Sequence, residues 1–580
     1  MVNSKKFTTK SVFCLALWLW VSSQSLSAGL ADCPPQPCHE AWQKDPETLR
    51  DQCHKEWTVL VYMAADNNLT PYAYLDLYEM EVGIKKTLRS LHLGSTDLSD
   101  ILVHLDTAGN EGIRRLHVMQ NPNPPLGMDL KIETFRNWDN SKIFSPQIGT
   151  TVSEENQTEA QKLEDFLTWA TSSYPSRHYM LIVWGHGQGW APAKNTEPVL
   201  EGRFLDPNSH ETKEKLFKKL IPNTNSILKL TNKIKKIAQL KKTFSEIKNI
   251  IYNSELAQNI AHLSPFKEKR DKFERLGGLA FNYTQKTFLD IPSLRNVLSK
   301  IFSKDKPLDI YASDACLMQM IEVATEISDL VRYTIGSAEV QSYVGLPYSQ
   351  VFDWFNRALN LKIKLQQKDR LNLIPFSSWD YEPYVFSIKI PELMQKSLDD
   401  GGSQKDFSTE GGDYLTMSAI SNDSLRQSLL PNLDQLGDAL FEYLQEDPAR
   451  KRDLKFVMQQ TPRFQNISQE FNAFLTLLEL ILQSEIEVTE TETIAVHKLK
   501  LLIPGVKNIL ANQTVIKTVL GTKYVDSQKD LFLLGFKAFS VWLPVSQAEF
   551  KERFEKFKTS RFYSVEVPSW PKWLEEVYRE

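Results

Sequence analysis

The apolar residues of this chain fall into short continuous runs separated by longer segments with helical spacing. Runs at 57–63, 101–105, 179–183 and 308–312 are largely apolar or β-branched. Such runs are typical of strands buried on both faces, as in parallel sheets covered by helices. We therefore predict strands at these four places, with further strands at 277–281, 332–339, 384–390 and 537–544.

Between the runs, apolar residues recur every three or four positions. Leu75, Met80 and Val82 follow the first run in this way, and another such pattern runs from Leu317 to Ile327. Further helices are predicted at 289–298, 425–444 and 470–486. The alternation predicts an α/β fold with a mostly parallel sheet flanked by helices, plus a helical insertion and an α/β C-terminal region.

A histidine stands where the run at 179–183 ends. His186 lies between Gly185 and Gly187, which places it at the carboxyl edge of the predicted sheet. Ligands and catalytic groups gather at that edge in open α/β sheets, and the glycines let the backbone approach a substrate closely. His104 falls inside its run instead, and we expect it to be structural.

A cysteine follows the run at 308–312. We expect Cys316 in the first turn of the next helix, where the helix dipole favours the thiolate. Since each residue follows one of two neighbouring parallel strands, His186 and Cys316 should face one crevice. Nucleophilic catalysis by cysteine needs this pairing of thiol and imidazole. A buried, inert thiol is the alternative for Cys316.

Three blocks of the sequence resemble the clostripain family of cysteine peptidases, relatives of caspases, gingipains and legumain. They are the segment 57–69, the His-Gly at 186–187 and the Asp-Ala-Cys-Leu-Met at 314–318. The segments at 332–339 and 345–348 are also similar to the family. The resemblance implies a caspase-like sandwich and a cysteine endopeptidase whose partners are protein or peptide substrates.

The resemblance also implies roles for individual residues. Cys316 is the expected nucleophile and His186 the expected base and proton carrier. The backbone N–H groups of Gly187 and Cys316 are the expected oxyanion donors. No third orienting residue can be named from the sequence, and the resemblance implies that a dyad suffices.

Substrate preference rests on an acid two positions before the nucleophile. Asp314 matches the acid that the family places in the pocket for Arg or Lys, where a carboxylate pairs with the cation. A cap for the following helix is the alternative role. Val344 stands where some members carry a second pocket acid, which weakens the expectation of strict Arg selectivity.

No cofactor and no metal ligands are expected. Relatives carry an acidic pair after the strand that corresponds to 277–281, whereas this chain has Asn282 and Tyr283 there. The calcium dependence of some relatives is therefore not carried over. The near-neutral net charge of −4 gives no reason to expect a nucleic-acid partner.

The N-terminus predicts export. Lys5, Lys6 and Lys10 precede an apolar run, and small residues near Ala28 follow it, as in a secretory signal peptide. We expect a secreted or periplasmic protein with no stable membrane span after cleavage. One disulfide among Cys33, Cys38 and Cys53 fits an exported protein, with the pairing left open.

Lysines crowd the segment 191–276, where apolar residues keep helical spacing. A solvated helical insertion, a membrane-surface or partner helix and a pro-segment all fit this pattern. Family members that cut themselves between the His and Cys blocks make self-processing here an expectation. The predicted units are a signal peptide (1–28), a lead-in segment (29–56), a catalytic core in two parts (57–190 and 277–350), the insertion (191–276) and an α/β region (351–580).

Two rival functions remain at the level of sequence. A non-catalytic binding protein on the same fold would use the basic insertion as a docking surface, although the intact Cys316 and His186 argue against it. Peptide ligation would use the same dyad, and only its products would distinguish it from hydrolysis. The oligomeric state is left open.

Overall fold

The structure, a computed structural model, describes most of the chain outside its first 54 residues and the lysine-rich insertion. The described residues are 55–83, 91–109, 112–123, 132–149, 157–190, 277–367, 381–399, 416–465, 467–489, 492–521 and 535–579. The predicted signal peptide, nearly all of the lead-in segment with its three cysteines, and the insertion at 191–276 lie outside them.

An eight-stranded sheet forms the centre of the molecule, in the order β12-β9-β8-β7-β4-β1-β2-β3. The five strands from β8 to β2 in this order run parallel, and β3, β9 and β12 are antiparallel to their neighbours. The strands are β1 (Lys55–Ala65), β2 (Ser99–Thr107), β3 (Arg114–His117), β4 (Ser176–Trp184), β7 (Leu308–Asp314), β8 (Val331–Ser337), β9 (Thr416–Ser421) and β12 (Val515–Leu520). The mostly parallel sheet is confirmed.

The central strands β1, β2, β4 and β7 are buried on both faces along most of their length, which explains their largely continuous apolar runs. In β1, Leu60 and Tyr62 face the first core, while Val59, Val61 and Met63 face the second core. Successive side chains of a strand point to opposite faces, so a strand between two helical layers is mostly apolar on both.

Helices cover both faces. One layer contains α1 (Thr70–Glu81), α2 (Ile132–Phe135), α6 (Tyr348–Gln367) and α7 (Tyr381–Asp399), all of which place residues in the second core. The other layer contains α3 (Glu159–Ser173), α4 (Ile291–Ile301), α5 (Ile321–Ile327), α8 (Leu430–Glu446), α9 (Arg450–Gln460), α10 (Phe471–Thr489), α11 (Ile494–Ile509), α12 (Gln547–Phe557) and α13 (Trp570–Tyr578). Every helix predicted within the described residues has a counterpart here, and the helix predicted in the insertion at 191–276 lies outside them.

The strand predicted at 384–390 is wrong, because the segment is part of α7. Phe386, Ile390, Leu393 and Met394 are buried at helical spacing against the sheet. The β-branched and aromatic residues that suggested a strand satisfy a 3.6-residue period as well, and tertiary packing decides between the two. Pro391 lies within this helix.

The C-terminal region contributes to the central sheet, because β9 and β12 belong to it. The strand predicted at 537–544 shrinks to β13 (Ser540–Val541), which joins β10 (Arg463–Phe464) and β11 (Ser468–Glu470) in a small sheet. Trp570 and Trp573 are buried in α13. None of the helices in the described part of the chain has the length and apolarity needed to cross a bilayer.

Candidate active site

The strands β4 and β7 deliver the predicted histidine and cysteine to one edge. They are parallel neighbours, and Trp184 is in register with Asp314. Gly185 N donates to the carbonyl oxygen of Asp314 over 3.2 Å, so the two chains leave the sheet side by side. His186 and Cys316 then line the same hollow of about 310 Å³, which is partly open to solvent.

A hairpin holds the histidine loop. The strand β5 (Leu279–Asn282) pairs with β6 (Thr287–Leu289) and also lies beside the loop. Ala280 N donates to the carbonyl oxygen of His186 over 3.0 Å, and Gln188 N donates to Gly278 over 2.9 Å. These bonds fix the backbone on both sides of the imidazole.

The histidine loop touches the cysteine turn directly. A Cβ built on Gly187 would overlap the carbonyl oxygen of Cys316 and stand 3.0 Å from the Cβ of Ala315. Real carbon–carbon contacts have their optimum at about 3.5–4.0 Å, so no side chain fits at this position. The two loops are therefore packed backbone against backbone.

The imidazole of His186 has a partner that the sequence reasoning missed. Its Nε2 lies 2.8 Å from Oδ1 of Asn68, a half-buried residue in the loop between β1 and α1. The ring of Tyr283 lies parallel to the imidazole, with 6.0 Å between centroids and 6° between planes. A signal was present in the sequence, because Asn68 follows β1 at the same carboxyl edge.

Asp66 and Asn67, which precede Asn68, hold the loop in place by hydrogen bonds. The helix α1 begins without a side-chain cap. Asn67 instead accepts from Leu69 N and donates to the carbonyl oxygens of Ala64 and Phe281. Asp66 accepts from Thr284 Oγ1 over 2.8 Å. Both residues are buried and hold the loop rather than lining a groove.

Cys316 lies in a turn and not in the first turn of a helix, which corrects our expectation. The helix α5 begins only at Ile321 and is seven residues long. Between them, Leu317 adopts a φ of 65°, and its N–H donates to the carbonyl oxygen of Glu339 over 3.2 Å. The apolar spacing from Leu317 onward reflects burial of this turn. The dipole of α5 therefore does not act directly on the thiol.

The segment after β8 covers the sulfur and the acid beneath it. Gln341 N donates to the Sγ of Cys316 over 3.3 Å, and Sγ lies 3.8 Å from the carbonyl oxygen of Gln341. The side-chain amide of Gln341 donates to Oδ1 of Asp314. One residue thus contacts both the expected nucleophile and the expected pocket acid.

Asp314 lies at the floor of the hollow and does not cap α5. Its Oδ2 accepts from Leu346 N over 2.9 Å and from the hydroxyl of Tyr348 over 2.8 Å. Burial raises the pKa of this carboxyl to about 6. Val344 is buried in the second core, so it contributes no polar group to the pocket.

A second buried acid lies beside Asp314, and sequence reasoning missed it as well. Asp76, on α1, accepts from Nε1 of Trp184 over 2.7 Å. The Oδ2 atoms of Asp76 and Asp314 lie 2.7 and 2.8 Å from the point where a Cβ on Gly345 would stand. Burial, together with the charges of Glu79 and Asp314, raises the pKa of Asp76 well above its usual range.

The region where relatives carry an acidic pair is held together by a lysine. Asn282 Nδ2 donates to Asp106 over 3.3 Å. The fully buried ammonium of Lys162 pairs with Asp106 at 3.0 Å and with Glu159 at 3.1 Å. Across the described ranges, no group of three or more His, Cys, Asp or Glu side chains is placed to hold a metal ion.

His104 is structural, as expected. It is buried within β2 and stacks on Tyr62 with 4.3 Å between ring centroids. Burial lowers the pKa of its imidazole well below the usual value, so the ring stays neutral. It does not line the hollow.

Comparisons with known proteins agree with the sequence blocks. The model of the clostripain family matches residues 61–211 and 224–364, just over half of the chain. Similar solved structures include an inactive zymogen C11 protease from Parabacteroides distasonis (15% identity, TM-score 0.45, 89% of this chain and 98% of that chain). Another is a secreted C11 cysteine protease from Bacteroides thetaiotaomicron in complex with an irreversible peptide inhibitor (17%, 0.40, 87% and 99%). No curated protein matches the chain.

Proposed function

Since the chain belongs to the clostripain family and is a cysteine-type endopeptidase with a caspase-like fold, we propose that it cleaves peptide bonds after Arg or Lys with Cys316 and His186. One observation carries the proposal: the thiol, the imidazole and the carboxylate of Asp314 line a single hollow. In a peptidase of this class, those three groups supply the nucleophile, the base and the counter-ion for a basic side chain.

The proposed reaction follows from this arrangement. The imidazole of His186 takes the proton of the Cys316 thiol, and the sulfur attacks the substrate carbonyl to give a tetrahedral oxyanion. The N–H groups of Gly187 and Cys316 are the proposed oxyanion donors, since their backbones lie in contact. The imidazolium then protonates the leaving amine as the C–N bond breaks. Water, deprotonated by the same imidazole, hydrolyses the thioester and frees the thiol.

Thiolate formation does not rely on a helix dipole in this chain. The N–H of Gln341 donates to Sγ of Cys316, and a hydrogen bond to a charged form stabilises that form. His186 at the same hollow supplies the positive charge once it has taken the proton. We infer that these two groups, rather than α5, stabilise the thiolate.

The preference for a basic side chain is supported by uncompensated acids. In the described part of the chain, neither Asp76 nor Asp314 forms an ion pair with a lysine or arginine, and the groups that donate hydrogen bonds to them are neutral. A buried carboxylate without a counter-ion is costly to ionise. A substrate ammonium or guanidinium would provide the missing charge. In this proposal, it displaces the neutral amide of Gln341 from Asp314.

Export and self-processing are part of the proposal. The composition of residues 1–28 supports a signal peptide. The described residues on either side of the segment 191–276 are joined, because Gly278 N donates to the carbonyl oxygen of Gly189 over 2.8 Å. A cut after a lysine within the insertion would leave both flanks attached to the fold.

The test compares wild type with Cys316→Ala, His186→Ala and Asp314→Asn. We expect wild type to release products ending in Arg or Lys from a peptide library, and the first two variants to release none. Asp314→Asn should keep the same thiol chemistry with poor discrimination. An added amine acceptor separates hydrolysis from ligation. Identical products from Cys316→Ala and wild type would overturn the assignment, and identical chain masses of the two would overturn self-processing.

A further inference from the structure

We propose that Asn68 is a positioning residue for His186, so that the catalytic unit is a Cys-His-Asn arrangement rather than a dyad. The inference deepens the proposed function and rests on it. The observation behind it is the 2.8 Å contact between Nε2 of His186 and Oδ1 of Asn68. No role was expected for this residue from the sequence.

The contact determines which ring nitrogen carries the proton. A carboxamide oxygen only accepts hydrogen bonds, so Nε2 must be the protonated nitrogen of the neutral imidazole. Nδ1 then holds the lone pair and is the atom available to take the proton of the Cys316 thiol. When it does, the imidazolium keeps its Nε2–H bond to Asn68. The tautomer and the ring direction are thus set before substrate arrives.

Hydrogen bonds hold the loop that carries Asn68 in place. The residue before it, Asn67, donates to Ala64 at the end of β1 and to Phe281 in β5, over 3.0 and 2.8 Å. The β5 strand is the one that also binds the histidine backbone through Ala280. The amide oxygen and the imidazole are therefore fixed to the same strand, and relative motion between them is small.

The aromatic ring of Tyr283 limits the remaining freedom of the imidazole. It lies parallel to the His186 ring, and its own N–H donates to the carbonyl oxygen of Asp66 over 2.8 Å. Asn68 thus holds one edge of the imidazole while Tyr283 faces the ring plane. Rotation of the ring about χ2 would break the bond to Asn68 and turn Nδ1 away from its present direction.

A neutral partner has a chemical consequence that a carboxylate would not have. An aspartate at this position would stabilise the imidazolium by its charge. The amide orients the ring without adding a charge. Asn68→Ala therefore tests orientation, and Asn68→Asp tests contact through the same atom.

The experiment measures kcat, KM and the pH profile of kcat/KM, together with the rate at which iodoacetamide alkylates Cys316. We expect Asn68→Ala to lower kcat about ten- to hundredfold, as for a misplacement of roughly 1 Å, with little change in KM. Asn68→Asp should restore part of kcat and move the pH profile to higher pH. Asn512→Ala, an exposed asparagine outside the hollow, is the matched control and should match wild type.

Each outcome is decisive. Wild-type kcat, alkylation rate and pH profile in both Asn68 variants would overturn the positioning role while leaving the dyad intact. The positioning role would also be overturned if activity fell only because the variants unfold, as judged by Tm, and if the pH profile of Asn68→Asp were unshifted. If the wild-type protein cleaves no peptide but its Cys316 is alkylated rapidly, the alkylation rates of the variants still test the positioning role of Asn68. Equal activity in wild type and Cys316→Ala would instead refute the proposed function itself.

Discussion

The contact between the histidine loop and the cysteine turn makes Gly187→Ala a sharp probe of the site. Gly187 has no positive φ that would itself penalise alanine, so the effect is steric. The added methyl group overlaps the carbonyl oxygen of Cys316 and lies 3.0 Å from Ala315 Cβ and 3.1 Å from Met318 Cγ. Because ordinary contacts lie at about 3.5–4.0 Å, one loop must retreat by roughly 0.5–1 Å.

That displacement has two expected costs. Overpacking of this kind destabilises a protein by about 1–3 kcal/mol. Misplacing catalytic groups by about 1 Å lowers the rate about a hundredfold. We therefore expect kcat/KM on a peptide with arginine before the scissile bond to fall about a hundredfold, while Tm falls only modestly and the protein stays folded.

Gly505→Ala is the control for glycine replacement as such. Gly505 lies in α11, and a Cβ there meets nothing within 4 Å. Alanine is the better helix former by about 1 kcal/mol, so this variant should be fully active and no less stable. Wild-type kcat/KM in Gly187→Ala would show that the two loops do not need their close contact, and would refute the reasoning.

Three further predictions concern the acids beneath the hollow and their cover. Asp314 has a pKa of about 6, so it binds a cation when ionised; KM for a basic substrate should fall as pH rises through 6, and Asp314→Asn should remove this dependence. The pKa of Asp76 is raised in the folded state, so its proton stabilises the fold at pH below the pKa of the unfolded chain, and this stabilisation is lost as pH rises through the pKa of the folded state. Thermal melts should therefore show a smaller loss of Tm between pH 4.5 and 8 in Asp76→Asn than in wild type. An equal loss of Tm in the two proteins would contradict this direction. Gln341→Ala removes the amide that occupies Asp314 Oδ1, so KM for lysine and arginine peptides should decrease, whereas an increase would mean that Gln341 helps to bind substrate.

Much of the fold follows from the sequence because the strands carry one unambiguous pattern. Strands β1, β4 and β7 are buried on both faces, and a continuous apolar run is typical of such a buried strand rather than of one with an exposed face. The segment 384–390 could not be assigned in this way, since its residues satisfy both strand and helix periods. The predicted start of α5 was too early for a related reason. Apolar residues keep helical spacing from Leu317 onward, but Leu317 lies in a buried turn and α5 begins at Ile321.

The candidate site was predicted only where a histidine or a cysteine follows a buried strand. His186 and Cys316 could be found because each follows a recognisable run. Asn68 and Asp76 make their key contacts with residues 118 and 108 positions away, with His186 and Trp184. No local pattern encodes such contacts, because they depend on how the loop after β1 and the buried side of α1 meet β4.

The placement of β9 has a practical consequence for anyone who shortens this enzyme. Strand β9 pairs with β8 from Tyr333 to Ser337. The side-chain amide of Gln319, in the turn that carries Cys316, donates hydrogen bonds to the carbonyl oxygen and the hydroxyl of Ser418 in β9. A chain ending near residue 350 would expose the backbone edge of β8, which favours aggregation, and would remove the hydrogen bonds that β9 makes to the turn carrying Cys316. An active form of this protease is therefore expected to extend far beyond the three sequence blocks at 57–69, 186–187 and 314–318.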